Sequence, residues 1–125
     1  MVRSILALVA VLSVASASRA ATVLTTPLVV YNNNGQIASC WVTNLDTRPA
    51  TISVKLIGQS GTDYTPPVGS GCPATLPPGE SCASGPVYPD YCYCSVTSST
   101  SKIRAAMLLF DGVTNQLDVE VPATR

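Results

Sequence analysis

The chain has 125 residues, 11% of them charged, and its seven basic side chains balance seven acidic ones for a net charge of zero. It contains no histidine, which excludes Ser-His-Asp and Cys-His catalysis, histidine-ligated metals and imidazole acid-base work. The balanced charge leaves no electrostatic footprint for nucleic acid or for an anionic membrane surface.

Met1-Val2-Arg3 supplies a short positive start, and Ser4 to Val14 is almost wholly apolar. That run is too short for the roughly 20 residues that span a bilayer. Small residues follow from Ala15 to Ala21, with small-x-small cleavage sites after Ala17 or Ala20. The pattern predicts a secretory signal peptide over 1–20, a single domain over 21–125, and no membrane insertion after cleavage. Loss of Arg3 and Arg19 leaves Arg48, Lys55, Lys102, Arg104 and Arg125 against seven acidic residues, a net charge of −2. The expected location is extracellular or periplasmic.

The remainder alternates β-type runs with Gly, Pro and Asn punctuation and shows no sustained helical period. Val23 to Tyr31 reads as a first strand in which Pro27 removes a ladder donor, predicting an edge or a break there. Asn32-Asn33-Asn34-Gly35 reads as a hairpin turn. Gln36 to Leu45 follows, with Ala38, Cys40 and Val42 on the core face and Ile37, Ser39, Trp41 and Thr43 on the other. After the turn Asp46-Thr47-Arg48-Pro49, Ile52, Val54 and Leu56 alternate with Thr51, Ser53 and Lys55 as a half-buried strand.

Gly58 to Pro73 is a long loop rich in Gly, Ser, Thr and Pro, the kind of segment that is often functional or mobile. Leu76 to Cys82 reads as a strand that turns sharply at Pro78-Gly79, a pair suited to a type II turn. A further Pro and Gly segment, Ala83 to Asp90, leads to Tyr91-Cys92-Tyr93-Cys94-Ser95-Val96. There Cys92, Cys94 and Val96 share one face, and Tyr91, Tyr93 and Ser95 the other. Ser98 to Ser101 is a polar turn. Lys102 to Phe110 is apolar on both faces, which predicts a central strand or one whose second face is covered. Asp111 to Asn115 reverses the chain into a last strand carrying Leu117, Val119 and Val121, closed by Pro122.

All five cysteines lie beyond the expected cleavage point, so export makes disulfides the default, with one thiol left over. Zinc is a poor fit because no C-x-x-C pair exists. The ten-residue spacing of Cys72 and Cys82 across a turn favours a local bridge, and the inward Cys40 can meet either Cys92 or Cys94. About seven short strands, with turns every ten residues or so, predict an all-β, two-sheet immunoglobulin-like sandwich stapled by disulfides.

The runs Ala38-Ser39-Cys40-Trp41-Val42-Thr43-Asn44, Leu76-Pro77-Pro78-Gly79-Glu80-Ser81-Cys82, Tyr91-Cys92 and Lys102-Ile103-Arg104-Ala105 resemble small secreted bacterial β-sandwich proteins of unassigned function. More loosely, they are similar to bacterial Ig-like domains with a Leu-x-Pro-Gly turn. The resemblance covers most of the domain and implies bridges Cys40–Cys92 and Cys72–Cys82, with Cys94 as the free thiol. It carries no functional residue.

For catalysis the nearest candidates are a carboxylate pair, Asp118 with Glu120, or a Cys94 nucleophile near Lys102 or Arg104. The first sits on the outward face of a terminal strand, and the second lacks a base. Asp63 and Asp111 lack calcium-loop spacing, and Gly69-Ser70-Gly71 opens no helix to cradle a phosphate. No catalytic residue, cofactor or metal is therefore expected. Binding fits better: Tyr88, Tyr91 and Tyr93 cluster, and Trp41, Tyr91 and Tyr93 form a candidate contact face for a protein or carbohydrate. The competing expectation for these rings is packing over a second, minor core. The alternative function is a small secreted enzyme or inhibitor acting through the 58–73 loop, with Asp63-Tyr64 at its tip.

Overall fold

The computed structural model describes residues 20–27, 29–30, 35–65, 71–87 and 91–125. Apart from Ala20, the expected signal peptide lies outside the described residues. The described chain forms nine strands: β1 (Thr22–Thr25), β2 (Val29–Val30), β3 (Gln36–Asn44), β4 (Ala50–Gly58), β5 (Thr75–Leu76), β6 (Ser81–Val87), β7 (Tyr91–Ser98), β8 (Ile103–Asp111) and β9 (Leu117–Pro122). One sheet runs β1-β7-β4-β5, with β2 also on β7, and the other runs β6-β3-β8-β9. Every ladder is antiparallel.

The strand count exceeds the expected seven for local reasons. The first run breaks around Pro27 into β1 and β2, which pair with successive parts of β7. At the break, Thr26 is buried and its hydroxyl accepts the Cys94 N–H at 2.8 Å, filling the gap in the ladder. The Pro78-Gly79 turn behaves as its residues demand: Gly79 has φ of +74° and the Glu80 N–H reaches the Pro77 carbonyl. It separates the two-residue β5 from β6, which includes part of the segment expected to be irregular. The strands flanking Asn32 to Gly35 do not pair with each other, so the expected hairpin is not formed between them. Strand β2 belongs to the β7 ladder and β3 to the other sheet; Asn32 to Asn34 lie outside the described residues.

The core fills the space between the sheets. Ile52, Val54, Leu56, Leu76 and Val96 of one layer meet Ala38, Val42, Ile103, Met107 and Leu109 of the other. Each large aliphatic side chain taken out of water here contributes about 1.5–3 kcal/mol. The alternation of β4 is as read, with Ala50, Ile52, Val54 and Leu56 buried and Thr51, Ser53 and Lys55 exposed. Strand β8 is central, between β3 and β9.

The inter-sheet bridge joins Cys40 to Cys94, with Cα atoms 5.8 Å apart, and not to Cys92. Side-chain parity left both partners open, because Cys92 and Cys94 share the inner face of β7. Sheet register decides between them. Cys94 pairs with Leu56 in mid-sheet and lies opposite Cys40. Cys92, two residues along, instead lies against Met107, the β8 neighbour of Cys40, with Sγ 3.6 Å from its sulfur. The free thiol is thus Cys92, buried and pushed up to about 11 by that burial. Cys72 and Cys82 are bridged as expected, with Cα atoms 5.1 Å apart.

Candidate functional site

In a two-layer sandwich the outer faces point away from each other, and this divides the expected contact face. Tyr91 and Tyr93 are on β7, while Trp41 is on β3 in the opposite sheet. Tyr91 is 40% exposed and Trp41 41%, but they look out from opposite sides of the molecule and form no common surface. Tyr88 lies outside the described residues.

The company of Trp41 follows from register. Its cross-strand neighbours are Ala83 on β6 and Ala106 on β8. One step toward the turn end are Ser81, Thr43 and Arg104 in a row, and one step the other way Ser39, Leu108 and Glu120. Phe110 next brings in Ile37 and Leu117. The surface that results has a ring flanked by alanines, an apolar rim at Leu108 and Leu117, and polar edges. Arg104 Nη2 lies 3.6 Å from Glu120 Oε1, with both side chains largely in solvent. The hydroxyls of Thr43 and Ser81 are 2.8 Å apart. Trp41, Thr43, Arg104, Leu108, Leu117 and Glu120 line a shallow open groove of about 260 Å³. Among the described residues Leu117 is a further exposed hydrophobic side chain, at 51%. The apolar second face of β8 was the sequence signal for this surface; its partners on β9 and β6 were not readable.

The remaining candidates are placed apart. Asp118 accepts a hydrogen bond from Gln36 Nε2 at 2.8 Å while Glu120 faces Arg104, so each carboxylate has its own partner. Cys94 is bridged and carries no thiol. Asp63 is not at a loop tip: it bridges back to Ile57, caps the Thr65 N–H and sits 3.9 Å from Lys55 Nζ. The Tyr64 ring lies over Gly58, where a Cβ would collide with it. The turn between is Gln59 to Thr62, and Pro66 to Ser70 lie outside the described residues. Asp111 accepts the N–H groups of Thr114 and Val113, which hold its carboxyl below the usual range and tie the β8–β9 turn.

At one end of the sandwich a second, polar cleft of about 340 Å³ is lined by residues that include Asp46, Arg48, Thr100 and Lys102. Its carboxylate is already engaged. The Thr100 hydroxyl donates to Asp46 at 2.6 Å and the Thr47 N–H at 2.8 Å, and these bonds lower the Asp46 pKa. Beneath it the fully buried Asn44 donates to the carbonyls of Arg48 and Leu76 and accepts the Asp46 N–H. This cluster pins three loops together. Among the described residues no three metal-ligating side chains converge, and no helix is long and apolar enough to cross a membrane. Compared with protein-family models, curated proteins and solved structures, the chain matches none.

Proposed function

We propose that this chain is an exported, non-catalytic module, immunoglobulin-like in the broad sense of two antiparallel sheets clasped by a cystine, and that it binds through the outer face of β6-β3-β8-β9. The observation that carries the reading is the exposure of Trp41 on a regular sheet face, beside Leu117 and hydrogen-bonding side chains. Rings held on a rigid scaffold bind with little loss of conformational entropy, and Trp and Arg are the residue types that dominate contact energies. Export is supported by the two bridges, which persist in oxidising compartments. It also fits the start of β1 at Thr22, two residues beyond one of the expected cleavage sites.

The test is adsorption of the oxidised protein to washed cells and extracellular polymer of its source. Trp41→Ser should abolish adsorption without changing the thermal midpoint, and the pair Tyr91→Ser and Tyr93→Ser should retain it. Retention by the first variant and loss by the second would move the binding face to the other sheet and overturn the proposal.

A further inference from the structure

We propose that the ligand of the Trp41 groove is a neutral glycan, with one sugar ring lying on the indole and its hydroxyls held by Arg104, Glu120, Thr43 and Ser81. The proposal rests on the binding role just assigned to this face and names the chemistry of what is bound. Its first support is the floor. The face of a pyranose presents several C–H bonds with partial positive charge, which match the negative face of an aromatic ring. Both directly opposed cross-strand neighbours of Trp41, Ala83 and Ala106, are small.

The second support is the rim. Vicinal hydroxyls each donate and accept, so they are best met by donors and acceptors set side by side. Arg104 offers only donors and Glu120 only acceptors, 3.6 Å apart. The Thr43 and Ser81 hydroxyls, 2.8 Å apart and in the same cross-strand row as Arg104, offer both. Charge is the third. The groove contains one cation and one anion already facing each other, so a charged ligand would gain attraction from one and repulsion from the other. Neutrality of the ligand follows.

Size is the last. A groove of about 260 Å³ is slightly smaller than the roughly 300 Å³ at which pockets for drug-sized ligands begin. It suits a ring or two of a chain that continues into solvent. A protein partner needs about 800 Å² per side with an apolar centre, whereas here an ion pair and a hydroxyl pair border the single ring.

The chain has one tryptophan, so its emission reports this groove alone. The oxidised full-length protein is titrated with neutral cello-, chito-, xylo- and manno-oligosaccharides up to about 10 mM, so that even millimolar affinity registers. One series should shift Trp41 emission saturably and shield it from acrylamide, independent of protein concentration and salt. Glu120→Gln and Arg104→Gln, which keep the fluorophore, should each weaken that series about tenfold through loss of a charged hydrogen bond. Polygalacturonate and heparin fragments should bind no tighter than the neutral chains.

An emission change that follows protein concentration instead of sugar would identify a second copy as the occupant and overturn the proposal. So would silence toward all four series. If adsorption nevertheless disappears in Trp41→Ser, the face remains the binding site and only the glycan assignment fails. If adsorption persists in Trp41→Ser, the binding role of the face fails with it.

Discussion

Replacing Cys94 by alanine opens the link between β3 and β7, whose ends are 54 residues apart in sequence. Chain-entropy arithmetic for that separation gives about 4 kcal/mol, against about 3 kcal/mol for the ten-residue Cys72–Cys82 loop. Cys92→Ala leaves the bridge in place and removes one sulfur from its contact with Met107, a deletion on the scale of a methylene that costs about 1 kcal/mol. The assay is urea unfolding of the two variants and the parent, followed by Trp41 emission and by circular dichroism. With a slope of about 1–1.5 kcal/mol/M, Cys94→Ala should lower the midpoint by about 3 M or more, and Cys92→Ala by under about 1 M. Alkylation should count one thiol in the unfolded parent, two in Cys94→Ala and none in Cys92→Ala. If Cys92→Ala is the damaging change and Cys94→Ala is mild, the register that sets Cys94 opposite Cys40 is wrong.

Asn44→Ala strips partners from the Arg48 and Leu76 carbonyls and from the Asp46 N–H in a fully buried site. A cost of about 3 kcal/mol is expected from equilibrium unfolding, and a loss under about 1 kcal/mol would show that these groups find other partners. Acid should destabilise the fold through three carboxyls with lowered pKa values: Asp46 (Thr100 hydroxyl, then Thr47 N–H), Asp63 (Thr65) and Asp111 (Thr114 and Val113). Because their folded values lie below the reference 3.8, the stabilisation is full above that pH and is lost as pH falls through the folded values. The urea midpoint should be insensitive to these groups from pH 7 to about 5 and drop below about 4. Thr100→Val should shrink that drop, and a midpoint that rises on acidification would contradict the assignment. Cys92 acts in the opposite direction: its folded value of about 11 lies above the reference 9.0, so its contribution is complete below that reference and is lost as pH rises through 11. Iodoacetamide at pH 8 should leave the native thiol unlabelled and react with it after unfolding; rapid native labelling would show that Cys92 is accessible.

Period-two alternation makes much of the β architecture legible in the sequence. Strand β4 was legible over Thr51 to Ile57, one residue short at each end, the two apolar faces of β8 left a central place as one of two readings, and Pro78-Gly79 placed its turn. These are local properties, set by which side of a pleated chain each residue occupies and by which backbone angles it tolerates. Partner choice is not local, and there the structure departs from the sequence pattern. Asn32 to Gly35 has hairpin composition, yet the strands on either side belong to different ladders. Asp63 and Tyr64 look like a loop tip in a sequence of Gly, Ser and Thr, but the chain doubles back and lays them on β4. The surface around Trp41 was only partly legible, because its ring and the Thr43 hydroxyl come from β3, the Ser81 hydroxyl from β6 and its walls from β8 and β9.

Composition and periodicity alone determined that this is an all-β chain with inward cysteines on two distant strands and aromatic rings on their outward sides. A strand's own residues specify its two faces and nothing about which sheet it joins. Only the tertiary structure decided that Cys94 rather than Cys92 meets Cys40, since two positions of equal parity differ only in how far along the partner layer they fall. It likewise decided that Trp41 and the tyrosine pair look in opposite directions, because outwardness in one sheet of a sandwich is the reverse of outwardness in the other.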